Sequence, residues 1–337
     1  MEPQSISTHP PRAMPHVPER LSIFAACRLP DVVRADLRRE CDIVFADEIA
    51  PAVPILTLLC TCTQPIIMIT VQEPLDAAAI GELPASVRVI ATYSVGHEHL
   101  DLEAARARGI AVFSLPDVLS EAVAEVGMFL LLGAARRATE SIDLIRSRTW
   151  TGWTATQLNG VEIFRKHLGI FGMGRIGRVL AARARSFEMT IHYSNRSRLA
   201  PEFERGARFH ADPKDLFGEV DALVLLAPSS DETRGFLNAE RIGWLKRGAI
   251  VVNIARGNLI VDGDLIAALR SGYLFAAGLD VFAGEPNLDP RYFDLPNVFM
   301  LPHIGSSTIE TRRRMAAALI DQLRTWLAGG KPSNRLV

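Results

Sequence analysis

His167-Leu-Gly-Ile-Phe-Gly-Met-Gly-Arg-Ile-Gly177 is the stretch on which the reading of this chain turns. The apolar run ending at Phe171 reads as a buried strand and the residues after Gly174 as a helix, which puts the glycines in the turn between them. A bare G-x-G-x-x-G carries little information, but a strand before it and a helix after it give each glycine a task. Gly172 permits the tight turn, Gly174 lets backbone approach a pyrophosphate, and Gly177 lets the helix pack closely on the strand. The helix N-terminus, with Arg175 and Ile176 in its first turn, adds N–H groups and partial positive charge for phosphate. The stretch predicts a dinucleotide site.

Outward from that turn, apolar runs alternate with helical-period segments over nearly the whole chain, the pattern of parallel α/β sheets. Before it, Leu21–Cys27, Ile66–Val71, Val87–Tyr93 and Ile110–Phe113 read as strands, followed by one long helix from about Ser120 to Arg148. After it, runs near Met189–Ser194, Ala222–Leu226, Ile250–Ile254, Ala276–Asp280 and Val298–Leu301 complete a six-stranded doubly wound sheet with Leu168–Phe171. The amphipathic segment Ser306–Ala328 reads as a helix that returns to the first domain. The expected fold class is α/β, with two Rossmann-like domains of doubly wound parallel sheets and an active-site cleft between them. The expected boundaries are a flexible tail over 1–20, a discontinuous substrate domain over 21–117 and 306–337, and a dinucleotide-binding domain over 118–305.

Bulk properties agree with a soluble two-domain protein. The chain has 337 residues, 48% hydrophobic and 22% charged, with a formal net charge of -1. No global field favours nucleic acid or an anionic membrane. Cys27, Cys41, Cys60 and Cys62 have no matching histidine pair or second CxxC, so neither a zinc site nor a disulfide framework is expected, and no metal is predicted. Reduced, buried thiols in a cytoplasmic protein fit better. Ala50–Val71 is uncharged, but Pro51, Pro54 and Pro65 argue against a membrane span and for a short helix followed by a strand. Residues 1–20 hold five prolines and no apolar periodicity.

The end of the strand after the glycine turn bears on the cofactor. NAD sites place an acid there for the ribose 2′-hydroxyl. Here the chain reads Tyr193-Ser-Asn-Arg-Ser-Arg198, with no carboxylate between Ile191 and Pro201. Asn195, Arg196, Ser197 and Arg198 would instead donate to a 2′-phosphate, for which guanidinium is well suited. NADP(H) is therefore expected, with NAD(H) as the alternative.

Three residues then carry a possible chemistry. Arg256, Glu285 and His303 each follow an apolar run. Reduction of a 2-keto acid needs a group to hold the carboxylate, a proton donor for the carbonyl oxygen, and a hydride beside the carbon. Arg256 offers a planar fork to the carboxylate, and His303 an imidazole, the side-chain type suited to giving a proton near neutral pH. Glu285 would hydrogen-bond the other ring nitrogen, fixing the tautomer and favouring imidazolium.

With Ser94-Val-Gly96, Gly172–Gly177, Asn253-Ile-Ala-Arg-Gly257, Gly278-Leu-Asp-Val-Phe-Ala-Gly-Glu-Pro286 and Leu301-Pro-His-Ile-Gly-Ser306, the chain resembles the D-2-hydroxyacid dehydrogenases, nearest to glyoxylate/hydroxypyruvate reductases. The segments occur in family order between about Val87 and Thr308. The resemblance implies NADPH-dependent reduction of glyoxylate or hydroxypyruvate by Arg256, Glu285 and His303 in a cytoplasmic homodimer. It implies that backbone N–H groups of Val95 and Gly96 bind the substrate carboxylate, and that Asp280 contacts the nicotinamide carboxamide. It places Pro228, Thr233, Ile254, Ala255 and Gly305 along the cofactor, with His303 also beside it. It likens Trp150 and Trp153 to tryptophans near the site, one reaching in from a partner subunit, with Trp153 the candidate substrate contact. His97, Glu98 and His99 depart from the usual wording of their loop and are left out of catalysis. D-lactate-type and phosphoglycerate-type dehydrogenases of the same architecture remain alternatives, as does a nicotinamide-responsive corepressor-like binding protein. A regulated phosphoglycerate dehydrogenase would add a C-terminal regulatory domain, and a D-lactate type would carry an Asp after the second strand of the cofactor domain.

Overall fold

The structure, a computed structural model, describes residues 20–71, 73–115 and 118–337. The tail expected over 1–20 lies outside the described residues except for Arg20. The chain divides into two compact units, Met1–Pro116 with Arg313–Val337, and Asp117–Arg312. The second crossing thus falls inside the last helix, where the sequence places it ahead of that helix, at 305/306.

In the first unit, β1 (Leu21–Ala25), β2 (Cys41–Phe45), β3 (Ile66–Ile69), β4 (Val89–Thr92) and β5 (Ala111–Phe113) form a parallel sheet in the order β2-β1-β3-β4-β5. β3 and β4 are buried at every position, as central parallel strands covered on both faces must be. β2 escapes the sequence reading because it is an edge strand with exposed Asp42 in it. The Ile309–Leu327 helix returns from Arg313 onward to this unit, where Arg313 pairs with Asp36, Arg324 with Glu40, and Trp326 meets Phe113 edge-on. Cys27, Cys41 and Cys62 are buried free thiols while Cys60 is partly exposed; burial pushes the Cys27 thiol up to about 12. Ile55–Leu59 is a five-residue helix, and among the described residues no helix is long and apolar enough to cross a membrane.

In the second unit, β6 (His167–Phe171), β7 (Thr190–Ser194), β8 (Arg208–Phe209), β9 (Ala222–Leu225), β10 (Ile250–Asn253), β11 (Ala276–Leu279) and β12 (Val298–Met300) form a seven-stranded parallel sheet. Its order is β12-β11-β10-β9-β6-β7-β8. Six strands were expected; β8, two residues long, has too little pattern to read. Strand order reverses between β6 and β9, the switch point at which doubly wound sheets open a crevice at the strand carboxyl ends.

The long helix expected over 120–148 is two helices, Ser120–Ala135 and Ala138–Arg146. Arg137 between them is left-handed (φ 55°). The cause lies far along the chain: the Val161 N–H donates to the Ala135 carbonyl at 2.9 Å, occupying the acceptor that the next turn would use. The Ser120–Ala135 helix lies close on the sheet because small residues line the contact. A Cβ on Gly127 would meet Ile254 at 2.8 Å, and one on Gly278 would meet the Leu130 backbone at 2.8 Å. The opposite face buries Phe171, Phe217, Leu237, Ile266 and Leu279, with Phe171 stacked on Phe236 at 4.1 Å.

Candidate active site

The glycine turn follows β6 at the switch point. Gly172 has φ 96°, and a Cβ there would stand 2.4 Å from the Ala227 nitrogen, so both conformation and space require glycine. A Cβ on Gly177 would press on the Gly172 carbonyl at 3.1 Å and Ile170 at 3.2 Å, which fixes how closely the Arg175–Arg185 helix packs on β6. Gly174 has nothing within 4 Å of a Cβ, leaving its backbone open in front. Open backbone at the N-terminus of an 11-residue helix suits a pyrophosphate.

Of the expected 2′-phosphate donors, two have work inside the protein. Asn195 accepts from the Met173 N–H at 2.6 Å, so its side chain braces the glycine turn. Arg198 donates to Glu204 at 2.8 and 3.1 Å. Glu204, only 6% exposed, also accepts from the Tyr193 hydroxyl at 2.5 Å. The sequence has no acid in the segment itself, but the fold brings Glu204 back to it from the short Pro201–Glu204 helix. Hydrogen bonds from Arg198 and Tyr193 hold the Glu204 carboxyl below its ordinary range. Arg196 and Ser197 remain exposed. The positive charge of Arg196 is felt at Glu232, in the loop where Thr233 donates to the Pro228 carbonyl at 2.7 Å. Pro228 and Thr233 therefore share one loop near Arg196.

Arg256, Glu285 and His303 are held by backbone beyond β10, β11 and β12. Asn253, fully buried at the end of β10, accepts from the Ala255 N–H at 3.0 Å and donates to the Arg256 carbonyl at 2.9 Å. This clamp shapes the loop carrying Arg256. The adjoining Gly257 lies against the next loop: a Cβ there would be 1.8 Å from the Phe282 carbonyl carbon. That contact seats the Arg256 loop against the segment that delivers Glu285. Glu285 accepts from the Phe282 N–H at 2.7 Å through one oxygen, and its other oxygen is 2.7 Å from His303 Nδ1. Partial burial pushes the Glu285 carboxyl up, but the bonds to His303 and Phe282 and the charges of His303 and Arg256 outweigh it, and the net shift is down. Glu285 is ionised at neutral pH.

Asp280 anchors the turn that carries the histidine. Its backbone carbonyl accepts from the His303 N–H, and its carboxylate accepts from Ile304 and Gly305, all at 2.8 Å. Burial raises the Asp280 carboxyl, against the pull of those two N–H groups. His303 is thereby held at φ 54°, a left-handed conformation costly for a residue with a Cβ. The structuring roles of Asn253, Gly257, Asn195 and Glu204 had no reading in the sequence. A polar Asn closing an otherwise apolar strand was the one available signal. Ile254 and Ala255 are buried beside the Arg256 loop.

Val95 and Gly96 lie beyond β4 in the first unit, where Thr92 Oγ1 and Ser94 Oγ are 2.7 Å apart and Ser94 donates to the Gly96 carbonyl at 2.6 Å. His99 Nε2 stands 3.1 Å from Thr92 Oγ1, so this histidine braces the same loop. Trp150 and Trp153 are 50% and 81% exposed, and Trp153 gains little from packing within its own chain.

Residues 128–305 match the family described as D-isomer specific 2-hydroxyacid dehydrogenase, NAD binding domain. A glycerate dehydrogenase of Hyphomicrobium methylovorum is 40% identical over 311 residues, spanning 91% of this chain and 96% of that protein. A glyoxylate/hydroxypyruvate reductase B of Cronobacter sakazakii is 41% identical over 264 residues, 78% of this chain and 81% of that one. Among solved structures, an NADPH-dependent glyoxylate/hydroxypyruvate reductase of Sinorhizobium meliloti, bound to NADP and malonate, superposes with a TM-score of 0.80. It is 28% identical and covers 94% of this chain and 97% of its own.

Proposed function

The chain belongs to the D-isomer specific 2-hydroxyacid dehydrogenase family, an NAD(P)-dependent enzyme family, and we propose that it reduces glyoxylate and hydroxypyruvate with NADPH. The observation that carries the reading is the 2.7 Å contact between His303 Nδ1 and an ionised Glu285 whose carboxyl also feels the charge of Arg256. The hydrogen-bonded pair can present a proton, and the arginine an anion site, in one unit with the glycine turn.

The residues fit a bound dinucleotide: Gly172, Gly174 and Gly177 with the following helix would hold the pyrophosphate, and Arg196 and Ser197 the 2′-phosphate. When bound, the reduced nicotinamide supplies a hydride to C2 of the substrate. Arg256 pairs with the substrate carboxylate through its planar fork and withdraws charge from the adjacent carbonyl. His303 transfers the proton on Nε2 to the C2 oxygen while Nδ1–H stays on Glu285, which leaves a neutral imidazole and a 2-hydroxy acid. In the oxidative direction that neutral imidazole takes the hydroxyl proton. The glycerate dehydrogenase among the relatives fits the same chemistry, because oxidising C2 of glycerate yields hydroxypyruvate.

The cofactor preference rests on Arg196 and Ser197, exposed at the end of β7 with no acid between Tyr193 and Ala200. The NADPH-dependent relative supports it. Asn195, which braces the turn, has a structural part in the site. The second unit also exposes Phe129, Ile142, Ile145, Trp150 and Trp153 on two consecutive helices and the loop after them, apolar surface that a homodimer would cover. The test is initial-rate oxidation of NADPH and of NADH by purified protein with glyoxylate, hydroxypyruvate, pyruvate and phenylpyruvate. The reading predicts the highest kcat/KM for the first two with NADPH; a preference for NADH, or for phenylpyruvate, overturns it.

A further inference from the structure

One face of the second unit's sheet carries a row of histidines away from the Arg256–Glu285–His303 chemistry. His167 opens β6, His192 is the third residue of β7, and His210 follows β8. The register pairs His167 with Thr190 and His192 with Arg208, so alternation along parallel strands turns all three imidazoles to the same face. His192 is fully buried, with Nε2 2.8 Å from His167 Nδ1 and Nδ1 3.0 Å from His210 Nε2. Glu219, the last residue of the Pro213–Glu219 helix that covers this face, brings Oε2 to 3.5 Å from His192 Nδ1.

We propose that His192, His210 and Glu219 form a binding site for one divalent cation of zinc type, joining β7, the residue after β8 and the end of the covering helix. The three donor atoms lie within 4.8 Å of one another. A tetrahedral zinc with bonds of about 2.0–2.1 Å has its ligand atoms about 3.3 Å apart, and the observed 3.0 and 3.5 Å bracket that spacing. Two imidazoles and a carboxylate are ligands that zinc favours. For Nδ1 of His192 to bind, its Nε2 carries the proton and donates it to His167, the outer hydrogen bond that orients a ligating histidine. Without the ion, a proton shared between His192 Nδ1 and His210 Nε2 fills the same gap. Binding moves that proton to Nδ1 of His210, and no net proton is lost. Arg208, 3.2 Å from Glu219 Oε2, competes for the carboxylate and moderates the affinity. Glu219 is half exposed, so water can complete the tetrahedron.

The site differs from the catalytic pair, and its test does not depend on turnover. Zinc chloride is titrated into the full-length chain against a chromophoric zinc chelator, with thermal unfolding followed in parallel. The expected result is one competing equivalent in the wild type, binding at least about tenfold weaker in His210→Gln and in Glu219→Gln, and a zinc-dependent rise in Tm only in the wild type. Glu219→Asp, which keeps the charge, should retain more affinity than Glu219→Gln. His303→Ala should keep the equivalent. Absence of stoichiometric zinc, zinc retained by both ligand variants, or zinc lost in His303→Ala overturns the proposal.

Discussion

Replacing Glu285 by Gln removes the charge opposite His303 while sparing the backbone it supports. The amide oxygen can still accept from the Phe282 N–H, now 2.7 Å from Glu285 Oε1, so the loop keeps its hydrogen bond. The amide nitrogen then faces His303 Nδ1 and cannot accept its proton. A hydrogen bond between charged partners contributes roughly 1.5–3 kcal/mol. The side chains are 41% and 34% exposed, and solvent screening reduces that to about 1–1.5 kcal/mol. At about 1.4 kcal/mol per tenfold, the variant should lose about tenfold in kcat/KM for glyoxylate, because the imidazole no longer has an acceptor that orients it through Nδ1–H. The advantage of the wild type depends on an ionised Glu285, so the difference between the two proteins should close as pH falls through and below the ordinary carboxylate range. Glu285 itself, shifted down, stays ionised above the ordinary carboxylate range and does not blur the comparison. The assay is kcat/KM for glyoxylate across pH, with Tm confirming an intact fold. A wild-type kcat/KM at neutral pH with an intact Tm would mean that Glu285 only holds the loop and would contradict its role in orienting His303.

Three further outcomes follow from the geometry. Arg256→Lys exchanges a planar fork for a point charge, so KM for the keto acid should rise by about 10-fold or more in steady-state assays; a change in kcat alone would contradict the role in carboxylate binding. Arg196→Ala should weaken NADPH by about tenfold and leave NADH unchanged in direct binding titrations, and equal effects on both cofactors would remove the 2′-phosphate assignment. Gly257→Ala places a Cβ 1.8 Å from the Phe282 carbonyl carbon, which the two loops can relieve only by separating. Overpacking of this kind costs about 1–3 kcal/mol, a Tm lower by about 2–12 °C, with loss of activity; a variant with wild-type Tm and rate would show the contact is dispensable.

How far the fold was legible follows from where the information lies. Strands such as β9 and β10 are buried on both faces, so their apolar runs announce them without reference to the rest of the chain. β2, with Asp42 on an exposed edge, and β8, with two residues, carry no such signature. The break at Arg137 is imposed by Val161, far along the chain, and no local pattern records it. At the site, residue types and order pointed to Arg256, Glu285 and His303, because carboxylate binding and proton transfer demand particular functional groups. The supports were hidden. That Asn195 braces Met173, that Glu204 occupies Arg198, and that Asp280 holds the His303 turn are matters of where side chains meet after folding. The same holds for the His192, His210 and Glu219 cluster, whose donors come from a strand, a loop and a helix end.

The central claim is that His303 delivers the proton in an NADPH-dependent reduction of a 2-keto acid. It is tested most directly by following loss of NADPH absorbance with hydroxypyruvate for the wild type and for His303→Ala at matched occupancy of both substrates. The account predicts turnover by the wild type and a kcat lower by roughly 10²–10⁴-fold in the variant, with cofactor binding retained. A variant that turns over at the wild-type rate would contradict it.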